Sequence, residues 1–298
     1  MPAGPGHARA GRGGRGGMTV VALAQVSGPA GAGEANRAKG LAAAGEAFER
    51  GADLAVLPEL SVPGYDWDRE RLEAGAEPLD GPTVRAWGEL AARHGGWIAA
   101  GFAERDGERL FNTAVLVGPD GVALHYRKLH LFSGEKGVLT PGDRGLPVAD
   151  TPLGRIGLCI CYDLRFVETL RALSLAGAEL VCVPTAWVPG FDAVRWDAEG
   201  FCPQARYATM QANLDGVYVA CASQAGEWGE HTFLGSSVLA DPRGRVVAGP
   251  LPGDADDLVL AEIDLASDAG ASDRGGGIRP REDRRDDVYS LTLDGRPL

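Results

Sequence analysis

The stretch IGLCICYDLRF, residues 156–166, decides how this chain is read. Ile156 to Ile160 form a short apolar run that predicts a strand, and the run stops at Cys161. After Tyr162 and Asp163, the segment RFVETLRALSLAGA spaces Phe166, Leu170 and Leu173 three or four apart. That spacing predicts a helix with Gly177 as its C-cap. A cysteine at a strand-to-helix corner carries its sulfur at the sheet edge, where backbone N–H groups can face a bound substrate. The placement suits a nucleophile whose substrate becomes an oxyanion. For a lone cysteine a buried structural role is commoner. Cys159, two residues earlier on the same strand face, competes with Cys161.

Outward from this corner, two more polar residues end apolar strands. Glu59 ends LAVLPE and Lys128 ends ALHYRK. Ligand sites in open α/β sheets lie beyond the carboxyl ends of strands. A carboxylate, an amine and a thiol meeting there would form a nucleophilic site. Glu59 could take the thiol proton and later activate water. Lys128 could hold the thiolate and the oxyanion that follows. The bland alternatives are a capping glutamate and a surface lysine beside Arg127 and His130.

The remaining chain predicts alternating strands and helices. TVVALAQ (19–25) and DLAVLPE are strands flanking a helix from Glu34 to Arg50, which stops at Gly51. Pro82 opens a helix that Gly95 closes. Three strands follow, WIAAGFAE, LFNTAVLVG and VALHYRK, with a hairpin turn at residues 119–121. Later come a strand ending near Thr185, a helix from Glu199 to Leu214, and strands starting at residues 216, 236 and 258. Fully apolar strands predict sheets covered on both faces. Residues 18–298 read as one domain. Residues 1–17, rich in Gly and Arg, read as a disordered tail, with Met18 as the true start.

Of the 298 residues, 45% are hydrophobic and 23% charged, and the net charge is −12. That is globular material, without the excess of basic residues that nucleic acid or an anionic membrane surface would attract. The five cysteines are odd in number and mostly sit in apolar runs. They suggest neither a disulfide framework nor a zinc site, so no metal or cofactor is expected, and the compartment is read as reducing and cytoplasmic. The longest apolar runs are too short to predict a transmembrane helix.

VLPELSVPGY, YRKLHLF and CICYDLRFVE, in that order, resemble the three signature motifs of the nitrilase superfamily, the carbon–nitrogen hydrolases. The likeness runs from about Met18 to Tyr289 and includes GSSVLADPRGRVVA and REDRRDDVY. It implies a four-layer αββα sandwich of two mixed sheets, commonly paired as a homodimer through helical faces that include the helix after the cysteine. It implies a Glu59–Lys128–Cys161 triad. Within GEKGVLTPGD it implies Glu135 as the residue that orients the lysine, although the residues alone leave Lys136 an equal candidate. The Tyr162 N–H would be a second oxyanion donor. Trp187, Phe191 and Trp196 follow a strand end and are candidate pocket residues. The expected activity is hydrolysis of a small amide or N-carbamoyl compound, since true nitrilases typically carry Trp-Glu after the cysteine. Acyl transfer, ammonia supply to a partner enzyme, and an inactive binding protein are the alternatives. The chain departs from the family pattern at Val167, Gln211, Leu214, Asp215 and Ser223, which bears on the pocket and local packing.

Overall fold

The structure is a computed structural model that describes residues 18–190, 193–265, 273–293 and 295–298. The expected tail at residues 1–17 and the candidate Phe191 lie outside these residues.

Two six-stranded sheets stack face to face. The first takes β1 (Met18–Gln25), β2 (Leu54–Val56), β3 (Trp97–Asp106), β4 (Arg109–Gly118) and β5 (Gly121–Arg127) in that order, with a later strand, Asp257–Asp264, beside β1. The second sheet begins with β6 (Val148–Thr151), β7 (Gly154–Leu158) and β8 (Leu180–Thr185). It continues through β9 (Tyr218–Ser223), β12 (Val238–Ala240) and β13 (Val246–Ala248), while β10 (Ala225–Trp228) and β11 (His231–Leu234) form a separate hairpin. The strand beside β1 is thus β14. Pairings β1–β2, β2–β3, β7–β8 and β8–β9 are parallel and the remaining pairings within the two sheets antiparallel, so both sheets are mixed.

The period-two rule accounts for the layers. In β1, Val21 and Leu23 enter the core between the sheets, while Ala22 and Ala24 face the helices outside. Leu54 and Val56 face inward in β2, and Ala55 outward. Because both faces are covered, the strands carry no polar alternation. Helices α1 (Gly33–Glu49) and α3 (Pro82–His94) cover the first sheet, with Val84, Trp87 and Leu90 of α3 forming its buried stripe. A short helix, α2 (Arg69–Gly75), lies between them in the chain. Helices α4 (Val167–Leu175) and α5 (Pro203–Asp215) cover the second sheet. The result is the αββα sandwich.

Two boundaries differ from the sequence reading. The segment after Cys161 is a 3₁₀ turn, Cys161–Arg165, and α4 begins only at Val167. Phe166 is extended, its ring stacked 3.6 Å from that of His130, so it does not share the buried helix face of Leu170 and Leu173. Helix α5 starts at Pro203, not Glu199. Asp197 Oδ1 accepts from the Glu199 and Phe201 N–H groups, at 2.9 and 3.0 Å, and this local turn outcompetes helix before the proline.

Candidate active site

Glu59, Lys128 and Cys161 meet at the ends of strands drawn from both sheets. Glu59 sits where the sheets touch. Its N–H donates to the Thr185 carbonyl at 3.3 Å, and its own carbonyl accepts from Gln224 Nε2 at 2.9 Å. The Gly101 backbone passes so close that a Cβ there would stand 2.8 Å from the Glu59 Cα, so only glycine fits without displacing the segment. Lys128 is held from both sides. Its N–H donates to the Asn112 carbonyl and its carbonyl accepts from the Gly142 N–H, each at 2.8 Å. Just before it, Arg127 is buried, bonded to Glu104 at 2.5 and 3.0 Å and stacked on Phe111. Arg127 is therefore a structural anchor, not a surface neighbour.

Cys161 has φ of 45°, in the left-handed region that a residue with a Cβ avoids. Such a conformation costs about 1–3 kcal/mol and persists only where the surroundings impose it. Asp163 imposes it here. Its buried carboxylate accepts from the Ile160 N–H (2.9 Å), the Tyr126 hydroxyl (2.6 Å) and the His130 N–H (3.1 Å), and it pairs with His130 Nδ1 at 2.7 Å. One side chain thus ties the cysteine corner to the chain carrying Lys128. Cys159 lies wholly in the core, while Cys161 is partly exposed and lines a cleft.

The Lys128 ammonium lies between two fully buried carboxylates, 2.6 Å from Glu59 Oε1 and 2.9 Å from Glu135 Oε1. Asn112 Nδ2 donates to the same two oxygens at 2.8 and 3.2 Å. Glu135 also accepts from the Tyr65 hydroxyl at 3.0 Å and, through Oε2, from the Phe132 N–H at 2.8 Å. Its neighbour Lys136 is exposed, so the structure separates the two candidates that the residues alone left equal. Among the described residues, Glu59 Oε2 has no hydrogen-bond partner.

Burial opposes the charged form of Lys128, but Glu135 and Glu59 outweigh it and hold the ammonium well above the usual lysine range. Burial raises Glu59 above the ordinary carboxylate range; Lys128 opposes this and Glu135 adds to it. Burial and the neighbouring Glu59 push the Cys161 thiol up, with Lys128 acting the other way. Burial thus disfavours a preformed thiolate, and Glu59 beside it gains basicity, an arrangement suited to proton transfer at the moment of attack.

The cleft encloses roughly 390 Å³, its open mouth included. Phe132, Tyr162, Leu164, Trp187 and Val188 make its lining largely apolar, and Arg165, Gln204 and Tyr207 add polar groups. Trp196 lies elsewhere, its indole N–H donating to the Leu234 carbonyl at 2.9 Å. Asn112, Tyr65 and Asp163 escaped the sequence reading. Asn112 left a signal, a polar residue inside the apolar run LFNTAVLV. Among the described residues, no group of three or more His, Cys, Asp or Glu could hold a metal ion.

The αββα sandwich thus brings a lysine and two carboxylates together behind a cysteine that lines the cleft. Residues 20–270 match the family model described as carbon-nitrogen hydrolase, and this chain belongs to that family, within the nitrilase superfamily. It is 36% identical over 222 residues to a nitrilase of Pyrococcus abyssi, covering 74% of this chain and 80% of the relative. It is 31% identical to an omega-amidase of Xenopus tropicalis, covering 83% and 88%. Among solved structures, an amidase from Nesterenkonia sp. superimposes with a TM-score of 0.73 at 26% identity, over 93% of this chain and 97% of that one. The chain is accordingly a hydrolase of C–N bonds other than peptide bonds. No helix among the described residues is long and apolar enough to cross a membrane.

Proposed function

We propose that this protein hydrolyses a small primary amide or N-carbamoyl compound through a thioester on Cys161. Glu59 takes the thiol proton as sulfur attacks the carbonyl carbon. Lys128 and the Tyr162 N–H stabilise the resulting oxyanion. Glu59 then protonates the departing nitrogen, the C–N bond breaks and ammonia leaves. Water attacks the thioester while Glu59 takes its proton, and collapse returns that proton to sulfur and releases the acid. Glu135 orients Lys128, and Trp187 forms a wall of the substrate site.

The observation that carries this reading is the buried Glu59–Lys128–Glu135 cluster behind a cysteine held at a strained corner on the cleft. It is supported by a mutant of the amidase of Nesterenkonia sp. AN1, in which the acetamide moiety of fluoroacetamide adds covalently at the active-site cysteine. The residues Tyr162-Asp163 after the cysteine favour amide over nitrile. The test is kcat/KM on matched amide, carbamoyl and nitrile substrates. The amide or carbamoyl compound is expected at least about tenfold ahead, about 1.4 kcal/mol in barrier. A preference for the nitrile would overturn the choice of bond.

We further propose one hydrolase domain from Met18 onward, acting as a homodimer in a reducing, cytoplasmic setting. Val167, Met210 and Leu214 on α4 and α5 are 60%, 61% and 53% exposed, an apolar surface suited to pairing with a second copy. Light scattering on Met210→Glu/Leu214→Glu should report a monomer, and an unchanged dimer would move the interface elsewhere.

A further inference from the structure

Gln204 is the second residue of α5 and lines the same cleft as Cys161, yet it is only 7% exposed. Its Nε2 donates to the Val188 carbonyl at 2.8 Å. Exchanging the amide oxygen and nitrogen would set oxygen against oxygen at that contact, so the orientation is fixed. Oε1 is then left buried with no hydrogen-bond partner among the described residues. A buried acceptor without a donor costs free energy that a donor recovers. The other polar side chains of the lining, Arg165 and Tyr207, pack on each other, the guanidinium 4.9 Å from the ring centre. Among the lining residues, Gln204 supplies the one buried side-chain acceptor that lacks a donor.

We propose that Gln204 determines specificity by accepting a hydrogen bond from an O–H or N–H on the acyl portion of the substrate. The inference rests on the amide-hydrolase reading and names the substrate class within it: amides bearing a donor along the chain, in preference to purely alkyl amides. A site built to bond such a group rejects an analogue lacking it more strongly than an apolar pocket rejects a lost methylene.

The test uses the full-length enzyme and pairs of primary amides of equal length, one ending in hydroxyl and the other in methyl: glycolamide with propanamide, 3-hydroxypropanamide with butanamide, 4-hydroxybutanamide with pentanamide. The wild type is expected to favour the hydroxy member by about tenfold or more in kcat/KM at one chain length. Gln204→Met, which keeps the volume and removes the acceptor, should bring that ratio near one, chiefly through KM. Gln204→Asn withdraws the acceptor by one methylene and should move the best hydroxy chain one carbon longer, which also answers the question if Gln204→Met does not fold. Equal rates for both members of every pair in the wild type would overturn the role of Gln204 and leave the amidase reading standing, as would a ratio untouched by either variant. Failure of the wild type to release ammonia from any amide would overturn both.

Discussion

Replacing Glu135 with glutamine keeps the shape of the side chain and removes one charge from the buried cluster. In the better of its two orientations, the amide oxygen still accepts from Lys128, Asn112 and Tyr65, and the new NH₂ faces the Phe132 N–H that Oε2 now accepts. Donor then meets donor, and a part-buried N–H loses its partner, at about 1 kcal/mol of stability. The electrostatic consequence is larger. The two carboxylate oxygens lie 2.6 and 2.9 Å from one nitrogen, so they are at most about 5.5 Å apart. At an effective dielectric constant near 20, their repulsion is at least about 3 kcal/mol, and it opposes ionisation of Glu59. Glu135 raises the Glu59 pKa, so its neutralisation lowers it. Glu59 acts as the base in its ionised form, so the acid limb of kcat/KM should move to lower pH. The plateau should fall because the base is weaker. Ammonia release measured between pH 4 and 9 reads both effects. The pH dependence of Cys161 alkylation reads the first alone, should turnover be too slow. An acid limb that stays in place, or moves upward, would refute the coupling of Glu135 to Glu59.

Three further outcomes follow from the same geometry. Cys161→Ala should abolish turnover with little change in melting temperature, whereas Cys159→Ala, in the closed core, should cost about 1 kcal/mol of stability and leave turnover largely intact; the reverse pattern would reassign the nucleophile. Burial raises the Asp215 carboxyl to about 6 against the pull of Arg171 and Arg281. A raised folded pKa favours the protonated form, so this group's stabilising contribution is full below about pH 3.8 and is lost as pH rises through 6. Asp215→Asn should therefore raise the melting temperature at pH 8, by up to about 3 kcal/mol in stability, with the difference vanishing near pH 4; a less stable variant at pH 8 would mean that the Arg171 pair outweighs burial. Activity should survive exhaustive chelation, because Lys128 and a backbone N–H supply the electrophilic assistance, and a loss restored by a divalent ion would count against the triad.

Local patterns in the chain carried the elements well where one rule dominated. Pro82 and Gly95 bound α3 as N1 proline and left-handed cap, because proline fixes a helical φ and glycine, lacking a Cβ, adopts a positive φ at no steric cost. The apolar runs of β1, β2 and β8 announced sheets covered on both faces, since no polar side chain could be spared to either side. The sequence reading lost accuracy where a distant contact overrode a local pattern. Phe166 fits the helical spacing of Leu170 and Leu173, but its ring stacks on His130, and the helix starts after it.

The candidate site divides in the same way. By itself, the sequence determined that Glu59, Lys128 and Cys161 each end an apolar run, and its motifs carried the likeness to the carbon–nitrogen hydrolases. Only the tertiary structure decided that the three converge, that Glu135 and not Lys136 turns inward, and that Asn112, Tyr65 and Asp163 complete the cluster. It also decided that Gln204 lines the cleft and that its buried side-chain acceptor lacks a donor among the described residues. The physical reason is that strand periodicity is a local property, legible from neighbours along the chain. Hydrogen-bond satisfaction and desolvation depend on which groups meet across the fold, and residues as far apart as Glu59 and Lys128 acquire their chemistry only there.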